Sequence, residues 1–454
     1  MAEQRGYEHA GRTSVELFAG GGGLAMGVHQ AGFRPLLFNE FNNRACETLE
    51  ASATRTLGPD GVHRALDTKP QPPVEGRPAP LFPGDVRALD LTAFHGKVDV
   101  LAGGPPCQPF SAGGVAKGDE DKRNMFPAVF KAIRQIQPKA VICENVRGLL
   151  RPSFEGYFEY IKHELALPFV ERDDEVPWQE HDQQLIKLLA GGGGGAADQR
   201  YQVRHIRVNA ANYGVPQIRH RVIIVAFRED LDVDVDAFVK DVTRIRFSEE
   251  ALYRTMRDED SSYWNRYKGI VPDYVRDEVR ARLPKGLGHE SENEERKVRP
   301  WRTLRDAIQG FGTDEHLPAL PDIDLGKLDR KTEQGGDITD HIGWPDARIY
   351  KGHTPNDLDR PAKTVKAGVH GVPGGESVML LDDREPHASA ESGWRRLHRY
   401  MTVRETARVM TFPDEWHGAG PRGEKMRQLG NAVPVVLAEF FAKKVAAALA
   451  SVGH

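Results

Sequence analysis

The sequence predicts an α/β protein, an open sheet with helices on its faces, joined to a smaller second domain. Three observations predict it. A strand-like run at 14–19 (Ser-Val-Glu-Leu-Phe-Ala) enters four glycines at 20–23 and continues as a helical stretch over 24–32. Two later runs, 98–102 and 139–143, are apolar and β-prone, and each delivers residues with chemistry to offer rather than a plain turn. From 229 to 395 the periodicity weakens, with mixed charge, several tryptophans and many turns, as in a separate smaller domain.

Size and composition set the bounds. A chain of 454 residues holds about two to three domains, or one large α/β domain with an insert. Hydrophobic residues at 39% and charged residues at 28% describe an ordinary globular protein. Three cysteines without a Cys-x-x-Cys spacing exclude a disulfide framework and a zinc ribbon, so no metal is expected and a reducing compartment fits. No run of about 18 apolar residues exists, and residues 1–12 are polar without a signal-peptide core, so a cytoplasmic protein away from membranes is expected. A net charge of -4 does not advertise a nucleic-acid binder, although charge can cluster locally.

Taken in order, strand, glycine turn and helix at 14–32 form the arrangement that receives a nucleotide-like cofactor, because missing side chains let the backbone and helix N-terminus approach it. The full Gly-x-Gly-x-x-Gly fingerprint is absent, since its last position is Ala25. A second strand over 36–41 ends in Glu40 and Phe41: the acid is what a ribose diol needs as an acceptor, and the ring can stack on adenine. Residues 52–83, rich in Pro, Gly and charge, read as a long loop. At 103–111 stands Gly-Gly-Pro-Pro-Cys-Gln-Pro-Phe-Ser, a tight turn past a buried strand that carries one thiol, Cys107. Such a thiol is either a small buried hydrophobe or a nucleophile, and other residues must decide.

The polar, glycine-hinged 112–124 segment is of the kind that closes over a substrate, or else a plain surface loop. A helix over 125–137 precedes the 139–143 strand, which delivers Glu144, Asn145 and Val146, with Cys143 a core residue. Residues 151–200 are longer than the pattern needs and read as an insertion with a helix or two, whose five glycines at 191–195 form a flexible connector. Consecutive strands at 201–208 and 222–227 suggest a hairpin. Arg219 and Arg221, at i and i+2, would share one face and point at an anionic or carbonyl-bearing target. The most basic short stretch holds Arg395, Arg396, His398 and Arg399, which can contact phosphates; Arg404 and Glu405 read as a solvated helix start with an internal pair. An amphipathic helix runs to 450.

Pro-Pro-Cys-Gln-Pro-Phe-Ser resembles the catalytic motif of the DNA (cytosine-5)-methyltransferases. Other segments resemble that family in its own order: Phe18-x-Gly20-x-Gly22, Gly84-Asp85-Val86, Glu144-Asn145-Val146, the Gln217-x-Arg219-x-Arg221 pattern, residues 360–364, the 400–413 stretch, and Gln-Leu-Gly-Asn-Ala-Val-Pro at 428–434. The resemblance implies a Rossmann-like S-adenosylmethionine-dependent methyltransferase domain over 1–228, a smaller inserted target recognition domain over 229–395, and a return to the catalytic domain over 396–454. It assigns S-adenosylmethionine, with S-adenosylhomocysteine as product, to Phe18, Gly20, Gly22, Gly23, Glu40, Phe41, Asp85, Val86, Pro106, Asn431 and Val433. It assigns DNA contacts to Ser111, Arg123, Gln217 and Arg399, and catalysis to Cys107, Glu144, Arg219 and Arg221.

The chemistry so implied is covalent catalysis on a flipped cytosine. A thiolate added at C6 makes C5 enamine-like, so that it accepts a methyl group and then loses its proton. Cys107 would supply the thiolate, Glu144 would face N3 and the exocyclic amine, one arginine, Arg221 by the family pattern, would hold O2, and the arginine pair would lower the thiol pKa. Three further readings are a tRNA cytosine-5 methyltransferase, a non-catalytic DNA-binding relative, and a dinucleotide oxidoreductase, which would need the missing third glycine and leaves the cysteine turn unexplained. The long recognition interval favours double-stranded DNA over RNA, and an intact Cys107, Glu144 and arginine pair argues for catalysis. The resemblance further implies a bacterial or phage enzyme of a restriction-modification or host-defence system, acting as a monomer.

Overall fold

The computed structural model describes residues 11–57, 61–106, 124–310, 317–368, 377–388, 390 and 392–454. They fall into two compact units, the first within Met1–Val208, His220–Arg244 and Ala438–His454, the second Asn209–Arg219 and Ile245–Leu437. These divisions fall at other places than the expected functional boundaries after 228 and 395.

The first unit is built on β1 (Thr13–Leu17), α1 (Gly23–Gln30), β2 (Arg34–Glu40), α2 (Asn43–Thr56), β3 (Val62–Arg64), β4 (Ala79–Pro83), β5 (Val100–Gly103), α3 (Phe126–Ile136), β6 (Ala140–Val146), α4 (Glu155–Ala166), α5 (Trp178–Ala190), β7 (Tyr201–Asn209), β8 (His220–Arg228) and α6 (Val235–Val242). Eight strands form one sheet in the order β3-β4-β2-β1-β5-β6-β8-β7. β1 runs parallel to β2 and β5, and β5 parallel to β6; β8 closes antiparallel on β6 with Glu144 opposite Ile223 and Val146 opposite Arg221. The chain leaves β1 towards β2 on one side and returns to β5 on the other, so the strand order reverses between β1 and β5. Ligands of open α/β sheets bind outside the strand ends at such a point.

Helical spacing explains how the sheet is covered. In α3 the buried residues Phe126, Val129, Phe130, Ile133 and Ile136 recur every three or four positions and pack into the sheet core with Val15, Leu101, Val141 and Ile224. α2 starts on Asn42, whose side chain accepts from the Arg44 and Ala45 amides at 3.0 and 3.1 Å.

Two expectations about irregular segments need correction. Residues 52–83 are not one long loop, because β4 is an inner strand between β2 and β3. The prolines hid it: Pro80 has no amide to donate, and the ladder passes on either side of it, from the Ala79 amide to Gly61 O at 3.2 Å and from the Ala65 amide to Leu81 O at 2.9 Å. The 191–195 glycines are an ordered turn rather than a loose connector. Arg200 donates to the carbonyls of Gly192 and Gly195, both at 3.2 Å, and a Cβ on Gly194 would lie 2.7 Å from Leu167 Cδ2. The adjoining helices belong to the core, with Tyr157, Phe158, Ile161, Leu165 and Leu185 buried.

The second unit holds β9 (Phe247–Ser248), α7 (Glu249–Arg257), α8 (Ser262–Arg266), α9 (Asp273–Ala281), α10 (Ser291–Arg296), β10 (Arg299–Pro300), α11 (Leu304–Ile308), β11 (Val378–Pro386), β12 (Trp394–Tyr400), α12 (Val403–Val409) and α13 (Arg422–Asn431). Its strands make only two small ribbons, β9 with β10 in parallel and β11 with β12 antiparallel. An aromatic cluster around Tyr263, Trp264 and Tyr267 and an aliphatic one around Leu304, Met379, Met401 and Val409 supply the apolar core. Buried ion pairs join them: Arg305 reaches Asp359 at 2.6 and 2.9 Å and Asp382 at 2.5 and 2.8 Å. Arg404 and Glu405 are buried too, not solvated; Arg404 donates to the carbonyls of Thr339 and Trp416 at 2.9 and 2.8 Å.

The chain ends in α14 (Val435–Ser451), which from Ala438 onward belongs to the first unit. There Lys444 pairs with Asp241 of α6 at 2.7 Å, and Arg12 donates to His454 O at 3.0 Å. No helix among the described residues is long and apolar enough to cross a membrane.

Candidate active site

The C-terminal ends of β1, β2, β4, β5 and β6 and the first residues of β8 share one edge of the large sheet. Past β1 the backbone turns left-handed three times, at Phe18 (φ 59°), Gly20 (φ 56°) and Gly22 (φ 92°). For Phe18 this costs on the order of 1 kcal/mol, a strain that persists where a site requires it. Gly103 makes room for it, since a Cβ there would stand 2.9 Å from Leu17 O and 3.5 Å from Phe18 Cδ2. At the end of β2, Glu40 accepts from the Gly20 amide at 2.8 Å and the Asn42 amide at 2.6 Å, so the acid expected at a ribose also fixes the glycine turn. Phe41 beside it is 75% exposed, which is unusual for a phenylalanine ring. After β4, Asp85 grips Arg87, its carboxyl held below the usual range chiefly by the Arg87 side chain, and Val86 is buried. An open ring, a carboxylate at the strand tip and a side-chain-free turn are the donor set a nucleoside cofactor needs, and the residues fit such a group.

The other half of the edge carries the proline turn and Glu144. β5 runs out into Gly103, Gly104, Pro105 and the exposed Pro106. Asn145 Nδ2 donates to Pro105 O at 3.3 Å, and a Cβ on Gly104 would stand 3.8 Å from Glu144 O and 3.9 Å from its Oε2. The root of the proline turn is thereby tied to the strand that bears Glu144. Cys107, Ser111 and Arg123 lie outside the described residues. The other two thiols are unsuited to attack: burial pushes Cys143 up to about 12, and burial with the charge of Glu40 pushes Cys46 up to about 12.

Glu144 is 7% exposed, and Arg221 Nε stands 2.8 Å from its Oε1. The N–H of this pair does not point along a hydrogen bond, so that Oε1 has no donor among the described residues. A buried carboxylate oxygen without a donor is costly, and a substrate that brings one relieves it.

Arg219 does not join this pair. It precedes β8, is buried within the second unit, and donates from its two terminal nitrogens to the carbonyls of Val365 (2.9 Å), Gly430 (2.8 Å) and Ala432 (2.9 Å). It holds the turn that presents the exposed Asn431 and the buried Val433, where Gly430 is required because the backbone of Lys366 and Ala367 would collide with a Cβ. Gln217 is wholly buried, accepting from the Val365 amide at 3.1 Å and donating to Met410 Sδ at 3.0 Å. Arg399, expected on DNA, is buried with its guanidinium on Glu405 at 2.8 and 2.5 Å. Sequence reading did not single out Asn145 as the tie between strand and turn, or Arg147 and Arg151, which follow β6; the only trace was the place of Asn145 within Glu-Asn-Val and of Arg147 directly after it.

The model of the C-5 cytosine-specific DNA methylases matches residues 12–71, 78–167 and 196–447. The chain belongs to the C-5 cytosine-specific DNA methylase family. Among curated relatives, the methylase is 30% identical over 444 residues to the Escherichia coli type II methyltransferase M.Eco47II, covering 95% of this chain and 78% of that one. With the Neisseria gonorrhoeae type II methyltransferase M.NgoMIV it shares 27% identity over 452 residues, 96% and 98% of the two chains. Membership makes the protein a methyltransferase acting on C5 of cytosine in DNA and implies S-adenosylmethionine as methyl source. The match leaves out 168–195, a stretch shorter than the insertion expected over 151–200: α4 lies within the family match, whereas α5 and the glycine turn lie outside it.

Proposed function

We propose that the methylase extrudes a cytosine from a short specific duplex sequence and methylates it through a covalent adduct at Cys107. The Cys107 sulfur adds to C6 while Glu144 donates a proton or strong hydrogen bond at N3. The enamine-like C5 then takes the methyl group; the C5 proton passes to water as the C6–S bond breaks and the thiolate leaves, and N3 returns to Glu144 any proton it took, which restores the ring. S-adenosylmethionine, when bound, supplies the sulfonium methyl, and S-adenosylhomocysteine leaves. Phe18, Gly20, Gly22, Gly23, Glu40, Phe41, Asp85, Val86, Pro106, Asn431 and Val433 are the residues proposed to hold it. Arg221 orients Glu144 and holds the cytosine O2, while Arg219 is taken to act through the 430–432 turn rather than on the base. Residues 229–395 would serve as the target recognition domain, with Ser111 and Arg123 on the DNA; Arg399 and Gln217 are left out as DNA contacts because both are buried on internal partners.

The observation that carries this reading is Glu144, buried at the strand edge beside the 103–106 turn with an oxygen lacking a donor. The relatives' names as type II methyltransferases support a restriction-modification setting, and a cytoplasmic monomer on double-stranded DNA is part of the same proposal. Labelled methyl transfer from S-adenosylmethionine to unmethylated genomic DNA, followed by bisulfite sequencing, tests it. The expected outcome is label at C5 in one short motif, abolished by Cys107→Ser; undiminished transfer by that variant would overturn the covalent step.

A further inference from the structure

The residues that follow Glu144 carry charge that nothing among the described residues of the first unit uses. Arg147 begins the single 3-10 turn Arg147–Leu150 directly after β6, and Arg151 ends it. Both are exposed, and neither makes an ion pair or a side-chain hydrogen bond among the described residues. Their backbone is nevertheless firmly held. Leu149 between them is wholly buried, and a second 3-10 turn, Pro152–Phe154, follows with Phe154 buried in the same core. His220 lies alongside: Val146 is opposite Arg221 in the ladder, so the residue after Val146 and the residue before Arg221 emerge together at the strand edge. The imidazole feels this company, held below its usual value by burial first and then by the charges of Arg147 and Arg221.

The local balance is positive. Arg221 and Glu144 cancel one another, and Glu155, the next acid along the chain, pairs with neither arginine among the described residues. In a chain of net charge -4, two exposed arginines without acids, on a rigid turn beside the reacting carboxylate, are a local exception. An extruded nucleotide leaves its flanking phosphates at the mouth of the pocket that receives the base, and arginine matches phosphate oxygens in a bidentate fashion.

We propose that Arg147 and Arg151 form a phosphate clamp at the edge that carries Glu144, gripping the DNA backbone on either side of the extruded cytosine, with His220 beside Arg147 as a polar contact. The clamp rests on the proposed function of this edge. It contributes to DNA affinity and to holding the extruded strand, and takes no part in methyl transfer itself.

The test is the salt dependence of methylation of unmethylated linear duplex DNA by wild type, Arg147→Gln, Arg151→Gln, the double variant and the double Arg→Lys variant. Each arginine on a phosphate contributes about 0.9 to the slope of log affinity against log salt, so the double glutamine variant should be shallower by roughly 1.8. Its KM for DNA at about 0.15 M salt should rise on the order of tenfold or more, with kcat within about threefold and the lysine variant recovering most of the slope. Thermal midpoint and S-adenosylmethionine binding should be unchanged, as expected for exposed side chains. An unchanged slope and KM in the folded double variant would overturn the clamp while leaving the methylation reading intact. Wild type that transfers no methyl to DNA would instead overturn that reading.

Discussion

Arg221 with Glu144 in the first unit and Arg399 with Glu405 in the second are the same chemistry put to different ends. Both pairs are largely buried, and both join a strand residue to a glutamate. Glu405 is saturated: it takes both nitrogens of Arg399, at 2.8 and 2.5 Å, and accepts from the Thr402 amide at 2.8 Å as half of a capping box at the start of α12. Glu144 stands near a strand tip with, among the described residues, a single close nitrogen and an oxygen without a donor. What separates the two pairs is unspent hydrogen-bonding capacity, not burial or charge.

The comparison can be broken most decisively at Glu144. Glu144→Gln should lower kcat for DNA methylation by about 10²–10⁴-fold, since proton donation at N3 is lost. Its unfolding free energy should change by only about 1 kcal/mol, because Arg221 keeps its bond to the His220 carbonyl at 2.8 Å. Denaturant titration beside steady-state kinetics checks both halves; a loss of stability as large as that at Glu405 would erase the distinction.

Glu405→Gln should destabilise the protein by about 3–5 kcal/mol, as the buried Arg399 loses its counter-charge. Burial alone would raise the Glu405 carboxyl, but Arg399 outweighs it and holds the group at about 2. A depressed folded value means the stabilisation is present above the unfolded glutamate value of about 4.3 and is lost as pH falls from there through the folded value. The stability gap between wild type and Glu405→Gln should therefore narrow between about pH 4 and pH 2. A gap that stays constant over that range in acid titrations would show that Arg399 is held by something other than the carboxylate.

The smallest effect sharpens the contrast from the cofactor side. Phe41→Ala should weaken S-adenosylmethionine binding by on the order of tenfold, from lost stacking, and leave the thermal midpoint within about a degree or two, since the ring is exposed. Calorimetric titration decides it, and unchanged affinity would remove Phe41 from the adenine site.

The sequence alone determined the parts whose cause is local. Runs such as 98–102 and 139–143 are strands because their apolar, β-branched residues leave no helical face, and the glycines at 20–23 had to be a turn. The order of the motifs was enough to name the family. Local sequence was silent wherever a side chain's partner is distant along the chain. Nothing near Arg219 tells that its side chain serves carbonyls 146 to 213 positions away; for Arg399 the partner Glu405 is only 6 positions on, and what the sequence does not show is that the pair is buried away from any phosphate. β4 stayed hidden because Pro80 and Pro83 mask a strand whose ladder bonds avoid them. Only the tertiary structure decided which arginines remain available at the active edge, because availability is set by what else has already been paired. By that measure Arg219 and Arg399 are spent, and Arg221, Arg147 and Arg151 stand at the strand that carries Glu144.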